Sequence, residues 1–341
     1  MHPILNKYDD FVVVSNDLTN DASFTLTALV HNELHFLGPF LEHYRKLGVR
    51  RFVLLNDRST DGSLEFLCNQ PDVMVVQSKR KFGDKVSSED ASALELPHQR
   101  VDLVWRMLLL EKYTLGKWSL HLDVDEFLEL PEGVSIDDFT ASLGDEDGNV
   151  IWSVMIDMYP KTLTALKAME QDEVVDLSKS WYFDGRKHLR LRKNGEPLTQ
   201  YPGCRARLLA KFGLTRKRKP LKYALKRILG MHPPSQNCIR KPVLLRWFSG
   251  CRFNSSHSVN ARGSITYLLP LRHYKFNGPI HARITRALTT AGYPDGGGEY
   301  GRLQRLLSAM SERDENFCDS KSVQFTGFDD FKRTGNAVGF D

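Results

Sequence analysis

The sequence lacks a membrane span, a secretory leader and a regular pattern of cysteines. No run of about 18 apolar residues, the length that crosses a bilayer as a helix, occurs among its 341 residues. The N-terminal stretch contains acidic side chains and does not have the pattern of a signal peptide, so we expect a cytoplasmic protein. The five cysteines are odd in number and show no C-x-x-C spacing, which is typical of reduced thiols in the cytosol.

Acidic residues are also missing from one long segment. Between Glu196 and Asp295 the sequence has no Asp or Glu in 98 positions but 19 Lys and Arg, which leaves 28 of the 47 basic residues against all 42 acidic ones elsewhere. We expect this acid-free segment to face anions, as a solvated basic face, a phosphate site or a contact with an anionic surface. It carries no helix-turn-helix, zinc or RNP signature, so we do not expect nucleic acid as the partner.

The most basic part of this segment is TRKRKPLKYALKRILGM, residues 215–231, which holds seven cationic side chains. After Pro220, apolar residues recur at helical spacing and form one stripe. Two interpretations remain open. The stripe packs on the main domain, or it forms an interfacial helix that docks the protein peripherally on an anionic inner membrane.

Apolar strands and amphipathic helices alternate along the first 160 residues. The predicted helices lie at 32–48, 63–70 and 98–117, and the predicted buried strands at 24–31, 51–57, 73–78, 118–130 and 151–160. This β-α-β order predicts an α/β fold with a doubly wound, mostly parallel sheet, whose ligands bind at the carboxyl ends of the strands.

The rest of the chain is predicted to complete the same domain. Shorter strands and loops are expected after residue 160, among them CRARLLAKF at 204–212, followed by a closing helix at 298–312. We therefore expect a first half at 1–160, a second half of the same domain at 161–310, and a C-terminal tail at 311–341.

Three carboxylates interrupt the apolar stretch WSLHLDVDEFLEL at residues 118–130. Asp123, Asp125 and Glu126 fall at the carboxyl end of the fourth predicted strand, at the same sheet edge as Asp57 after the second. Carboxylate oxygens at the D-x-D spacing suit Mg²⁺ or Mn²⁺, which keep some water and share phosphate oxygens with a substrate. The alternative is that these are ordinary acids at a strand end.

Several motifs carry a resemblance to a known family. These are VHNELHFLGPFLEHYRKLGVRRFVLLNDRSTDGS, WSLHLDVDEFLEL and, in order, DMYP, YFD, YPGCRAR, RKPVLLRW, NSSH, LRHYKF and GGGEY. Together they resemble the family-2-like glycosyltransferases of GT-A fold, in the bacterial branch that reads NE…H…G…DxSxDG…DxDEF. The resemblance covers roughly residues 24 to 310. It implies a GT-A-type sheet with a C-terminal acceptor-side extension, so that the first half would bind a nucleotide sugar and the second would complete the metal and acceptor sites.

The resemblance also implies roles at the nucleotide. The residues that match the nucleotide-binding motifs are His31, Asn32, Glu33, Asp57, Asp61 and Asp123. For Asp57 and Asp61, in NDRSTDG, the roles implied are contact with base and ribose or shaping of that loop, and for Asp61 simple turn chemistry is the alternative.

At the metal, the resemblance implies Mn²⁺ or Mg²⁺ bound by Asp123 and Asp125, with Asp125 the better direct ligand. Of the two histidines that match a third ligand, His273 is favoured because it ends an apolar run, and His257 would contact acceptor or phosphate. Lys275 and Arg272 lie close enough in sequence to offset the charge of a diphosphate.

The sequence departs from the family pattern at the general base. Inverting enzymes of this kind place a base carboxylate in the second half of the domain, because a sugar hydroxyl needs a proton acceptor to become a good nucleophile. Here that half is the acid-free segment. Asp157, after the fifth predicted strand, is the first choice, while Asp184, Glu299 and His257 remain open.

These observations predict a cytoplasmic, metal-dependent glycosyltransferase. It would move a sugar from a nucleoside diphosphate sugar to a glycan or lipid-linked acceptor in surface polysaccharide biosynthesis. Inversion at the sugar is implied by the resemblance alone. Two alternatives stay open, a nucleotidyltransferase that uses the same metal and diphosphate chemistry, and a polyanion or nucleic-acid binder without catalysis.

Overall fold

A computed structural model describes residues 3–96, 98–215, 238–289 and 297–340. The strands in these residues are β1 (Val12–Val13), β2 (Thr25–Val30), β3 (Arg51–Asn56), β4 (Val73–Gln77), β5 (Trp118–Asp123), β6 (Glu126–Leu128), β7 (Val150–Asp157), β8 (Tyr182–Asp184), β9 (Leu189–Leu191), β10 (Pro197–Thr199), β11 (Arg240–Arg246), β12 (Phe253–Ser255), β13 (Ser258–Val259), β14 (Gly263–His273) and β15 (Ser322–Gln324). The α-helices are α1 (Pro3–Asn6), α2 (Leu34–Lys46), α3 (Ser63–Cys68), α4 (Ser88–Ala93), α5 (Val101–Tyr113), α6 (Ile136–Ala141), α7 (Leu163–Ala168), α8 (Gly203–Lys211), α9 (Ile280–Thr289), α10 (Gly298–Glu312) and α11 (Phe328–Arg333).

Nine strands form one mixed sheet in the order β1-β4-β3-β2-β5-β11-β7-β14-β6. Six of them run in the same direction, namely β2, β3, β4, β5, β7 and β14, while β1, β6 and β11 run against them. The prediction of an α/β fold with a mostly parallel sheet is therefore confirmed. The sequence pattern did not reveal that β11 inserts antiparallel between β5 and β7.

The central strands are apolar along their length because helices and loops cover both faces of the sheet. Every residue of β3 and of β7 is buried, as in the sequences RFVLLN and VIWSVMID. Helix α2 buries one face, with Phe36, Leu37, Phe40, Leu41 and Tyr44, whereas α5 is buried on nearly all sides. The buried residues of α2 have the helical spacing expected from the sequence.

Two predicted elements are wrong. The stretch 118–130 is two strands, because β5 ends at Asp123 in the middle of the sheet and β6 begins at Glu126 on its far edge, against β14. The stretch 204–212 forms helix α8, because Cys204, Leu208 and Leu209 come together on one buried face. Its alternating Arg-Ala-Arg start resembles a strand only over three residues.

A second, smaller hydrophobic core lies beside the main one. It is built by Leu166 of α7, Leu208 of α8, Ile284 of α9 and Leu306 of α10, with Phe317 from the loop after α10. Helices α8, α9 and α10 contribute charged residues to the candidate site described below, so this core fixes where those charges lie.

The C-terminal segment packs on the main core and is not a tail over residues 311–340. Strand β15 pairs with β8, and Phe331 of α11 is fully buried. Leu268 and Val338 exchange two backbone hydrogen bonds, of 3.2 and 3.0 Å. The apolar side chains of this short segment supply the packing that the sequence interpretation overlooked.

The basic stretch 216–231 lies outside the described residues, so the membrane-docking interpretation stays a prediction. Within the described residues, none of the helices has both the length and the apolar character needed to span a bilayer.

Candidate active site

A cleft of about 360 Å³ opens at the carboxyl edge of the six parallel strands. The ends of β2, β3 and β5 bring His31, Asp57 and Asp123 to it, and His273 arrives at the end of β14. Because β11 runs the other way, its first residues reach the same edge. Of the residues expected at the site, those that line the cleft are His31, Glu33, Asp57, Asp123, Asp125, Glu126, His257, His273, Lys275 and Glu299.

Two cations neutralise Asp123. Its Oδ1 lies 2.7 Å from Nη2 of Arg106, and its Oδ2 lies 2.6 Å from Nζ of Lys241, whose side chain is 2% exposed. Burial opposes ionisation, but the charges of Arg106 and Lys241 outweigh it and hold the pKa of Asp123 well below its usual value. Since both oxygens already face cations, this carboxylate fits a metal ligand poorly, which counts against that part of the sequence prediction.

Glu126 holds the bend that follows β5. Its Oε2 accepts the backbone N–H of Asp123 at 2.9 Å, and both of its oxygens lie within 2.6 Å of Nζ of Lys241. The side chain of Glu126 is 1% exposed. It therefore supports the turn of the D-x-D motif through Asp123 and Lys241.

Asp125, His273 and Asp157 form a chain of three side chains. Oδ2 of Asp125 lies 3.7 Å from Nε2 of His273, and Nδ1 of His273 lies 2.7 Å from Oδ1 of Asp157. An ionised carboxylate can only accept a hydrogen bond, so Nδ1 is the donor and a neutral His273 keeps the lone pair of Nε2 toward Asp125.

Asp157 does not fit the role of general base. It is 4% exposed, its Oδ2 accepts from Nε of Arg205 at 2.8 Å, and it does not line the cleft. Burial opposes its ionisation, but Arg205 and His273 together hold the pKa of Asp157 far below the ordinary value. This geometry counts against the first choice made from the sequence, because the strand-end position that suggested a base buries the carboxylate behind His273.

Asp125 and His273 fit a divalent cation that is completed by other ligands. Among the residues that the structure describes, no group of three or more His, Cys, Asp and Glu is arranged to hold a metal ion. A carboxylate oxygen and an imidazole nitrogen that face each other, with the ring fixed by a second carboxylate, are nevertheless the usual elements of a metal site. Mg²⁺ and Mn²⁺ sites commonly take their remaining ligands from water and substrate phosphates.

His257 offers a proton acceptor on the other side of the cleft. Its Nδ1 lies 3.1 Å from the carbonyl oxygen of Arg240, which can only accept, so Nδ1 is the donor and Nε2 carries the lone pair. Burial, with the nearby charge of Lys241, lowers the pKa of His257 to about 4, so the ring is neutral at physiological pH.

At the far end of the cleft, Asp57 has one oxygen free to bind a ligand. Its Oδ2 accepts the backbone N–H of Phe82 at 3.0 Å, whereas its buried Oδ1 has no hydrogen-bond partner among the described residues. The same holds for Nε1 of Trp105, which also lines the cleft. Buried polar atoms are normally satisfied, so an unsatisfied acceptor and donor in one cleft indicate a polar ligand.

Asn32 and Asp61 do not line the cleft. Asp61 accepts the backbone N–H groups of Leu34 and Ser63, each at 3.0 Å, and Oδ1 of Asn32 accepts that of Thr60 at 2.7 Å. Of the two roles expected for Asp61, the structure supports shaping of the loop. Asn32, with a positive φ of 54°, likewise ties this loop to the start of α2.

Among the described residues, four arginines that line the cleft escaped the sequence interpretation, namely Arg106, Arg205, Arg283 and Arg286, and so did Lys241, which pairs with Asp123. All but Arg106 lie in the acid-free segment, whose positive charge was the signal that could have found them. The expected Lys275 lines the cleft, with Nζ 4.4 Å from the centre of the Tyr300 ring. Arg272 does not, because its Nε binds Oε1 of Glu129 at 2.7 Å.

No protein-family model matches the chain, and none of the curated proteins matches it either. Among solved structures, the crystal structure of HddC from Yersinia pseudotuberculosis is similar at 12% sequence identity, with a TM-score of 0.25. The match covers 41% of this chain and 63% of HddC. A similarity this slight carries no argument about function.

Proposed function

We propose that this protein is a metal-dependent glycosyltransferase. It would move a sugar from a nucleoside diphosphate sugar to a hydroxyl group of a glycan or lipid-linked acceptor, in surface polysaccharide biosynthesis. The observation that carries the proposal is the pair Asp125 and His273, braced by Asp157, in a cleft lined with cations at the carboxyl edge of the sheet. The family resemblance of the surrounding motifs agrees with it.

The cations of the cleft suit a diphosphate leaving group. Negative charge grows on the diphosphate as its bond to the sugar breaks, and fixed cations in a buried site stabilise that charge without having to reorganise. Lys275 and Arg286 line the cleft on the side of Asp125. A divalent cation held by Asp125 and His273 would add Lewis-acid stabilisation of the same leaving group.

The protein's other side chains would position the two ends of the donor. Asp57, with its unsatisfied Oδ1, can accept an N–H group of the base. The side chain of Asp123 is 38% exposed even though it is paired, so it can accept from ribose hydroxyls. Lys241 and Arg106 would then hold the Asp123 carboxylate rigid and ionised.

The acceptor hydroxyl needs a group that takes its proton. Of the four candidates from the sequence, His257 and Glu299 line the cleft. The charge of Lys275 lowers the pKa of Glu299 to about 2, although burial opposes this shift. Nη1 of Arg205 donates to Oε1 of Glu299 at 2.6 Å. His257 is the stronger base of the two and has an unprotonated Nε2, so we assign it the proton.

The test begins with a thermal-shift screen of nucleoside diphosphates and nucleotide sugars with and without Mn²⁺. A ligand that binds only the folded protein at a hundredfold excess over Kd stabilises it by about 2.7 kcal/mol, so the donor should stand out. Turnover with that donor should release nucleoside diphosphate. Release of pyrophosphate would instead identify a nucleotidyltransferase.

Asp125→Asn should abolish Mn²⁺-dependent donor binding, and the variant should still fold because Arg283 keeps its pair with Glu33. The exposed Glu132→Gln serves as the matched control and should behave like the parent. If the Asp125→Asn protein forms product at the parent rate with Mn²⁺ present, the proposal is wrong.

A further inference from the structure

Arg283 joins two carboxylates that come from distant parts of the chain. It lies on α9, and its Nη1 donates to Oδ2 of Asp125 at 2.8 Å while Nη2 donates to Glu33. Its side chain is 12% exposed, and its guanidinium lies 5.1 Å from the centre of the Phe36 ring. A buried, doubly paired guanidinium of this kind is a fixed part of the site and not a solvated surface charge.

Arg283 contacts the same oxygen of Asp125 that faces His273, the other proposed metal ligand. Oδ2 of Asp125 is 2.8 Å from Arg283 and 3.7 Å from Nε2 of His273. A divalent cation bound between Asp125 and His273 would bring a second positive charge to an oxygen that already has one. The two cations therefore compete for Asp125 through direct repulsion.

From this geometry, and resting on the proposed function, we infer that Arg283 holds the cation position at Asp125 until metal and diphosphate arrive together. Oδ2 of Asp125 would then be available to hold the metal together with His273, and the guanidinium of Arg283 would pair with the diphosphate. A metal ion that binds without the diphosphate would have to displace Arg283 from Asp125, and the guanidinium would then lack the diphosphate as its new partner. Metal and diphosphate consequently bind with positive coupling, which favours entry of the complete donor over the free ion.

The anchoring of α9 makes this exchange a movement of a side chain. Ile280, Ile284 and Ala287 are buried on one face of the helix, with Ile280 and Ile284 in the second core. Arg283 and Arg286 line the cleft from the other side. An arginine side chain has enough rotatable bonds to move its charge between neighbouring anions while its helix stays in place.

Arg286 provides a matched control on the same helix. Its Nη2 is 3.9 Å from Oε1 of Glu33, and its Nη1 donates to the carbonyl of Asn32 at 3.4 Å. It has the same charge and lines the same cleft, but it forms an ion pair with Glu33 and not with Asp125. A general loss of positive charge near the metal would affect both variants, whereas the loss of a competitor at Asp125 would affect only Arg283.

The experiment is a titration of the ligand-free protein with Mn²⁺ alone, read from the electron paramagnetic resonance signal of free Mn²⁺. Arg283→Gln should bind Mn²⁺ about tenfold more tightly than the parent. Arg286→Gln should stay within about twofold of the parent. Arg283→Lys, which retains the charge, should stay close to the parent. Arg283→Met removes the same charge as Arg283→Gln and should tighten Mn²⁺ binding likewise, so it replaces the Gln variant if that variant folds poorly.

Three results would overturn the inference: unchanged or weaker Mn²⁺ binding by Arg283→Gln, equal tightening in both Gln variants, or tightening in Arg283→Lys as large as in Arg283→Gln. Asp125→Asn distinguishes this failure from that of the proposed function. If Asp125→Asn abolishes Mn²⁺ binding while Arg283→Gln leaves it unchanged, only the role of Arg283 is wrong. If Asp125→Asn binds Mn²⁺ as the parent does, both are wrong.

Discussion

The two halves of the cleft differ in charge, and each supplies what the other lacks. Most of the carboxylates at or behind the cleft come from the first 157 residues, as Glu33, Asp123, Asp125, Glu126 and Asp157, and Glu299 is an exception. Apart from Arg106, their cationic partners Arg205, Lys241 and Arg283 come from the acid-free segment. The charge asymmetry of the sequence is thus explained in part by ion pairs that close across one cleft, and not only by a basic surface.

Burial gives these pairs a different meaning from that of pairs on the surface. Taking two charges out of water costs about as much as their attraction returns, so a buried pair adds little net stability. Removing one partner leaves the other buried and unpaired, which costs much more. Such pairs are consistent with a site that keeps charges fixed where a charged substrate and its transition state will need them.

Lys241 gives the strongest test of the difference between buried and surface pairs, because it pairs with two carboxylates of the other half. Lys241→Met should lower the free energy of unfolding by about 3–5 kcal/mol, because Asp123 and Glu126 would lose their shared partner. The measurement is urea denaturation at neutral pH.

Lys46→Met is the matched control for Lys241→Met, since Lys46 pairs with Glu42 on the surface and its side chain is 73% exposed. Its effect should stay within about 0.5 kcal/mol. If the two substitutions lower the free energy of unfolding equally, the buried pairs behave like surface pairs and burial does not give them a different role.

Substitution of Asp157 tests whether a carboxylate of the first half affects metal binding by positioning His273 of the second half. Asp157→Ala should weaken Mn²⁺ binding by about 10- to 100-fold, because His273 would lose the acceptor that fixes its ring and its proton. Asp157→Asn keeps an acceptor oxygen and should restore part of the affinity. If both variants bind Mn²⁺ as the parent does, Asp157 pairs with Arg205 but does not position His273 for metal binding.

Much of the first half could be predicted from the sequence, whereas in the second half His257, His273 and Lys275 could be predicted but the buried ion pairs could not. Strand ends such as His31, Asp57 and Asp123 follow from apolar runs and from the topology of a parallel sheet. The pairing of Arg283 with Asp125 spans 158 positions, and no local pattern encodes it. Asp157 illustrates the boundary, since its position at the sheet edge was predictable but its burial behind His273 depends on helix α8 and on Arg205.

The last prediction concerns a buried histidine of the first half that also lies near a cation of the second, and its effect appears as a pH dependence. His43, on α2, donates Nε2–H to the carbonyl of Leu128 at 2.7 Å. Burial, with the charge of Arg272 from the acid-free segment, lowers the pKa of His43 to about 3. The two side chains contact the same ring, that of Phe127.

The sign follows from where the proton binds. Below pH 6.5 the unfolded chain protonates His43, but the folded protein does not until about pH 3, so the free energy of unfolding falls as the pH is lowered between these values. The slope from this residue is at most about 1.4 kcal/mol per pH unit. His43→Gln retains an N–H donor but does not titrate, so it should lose less stability than the parent between pH 6.5 and 4. Denaturation curves at several pH values give the difference directly, and parallel pH profiles of parent and variant would show that His43 is not held neutral by its surroundings.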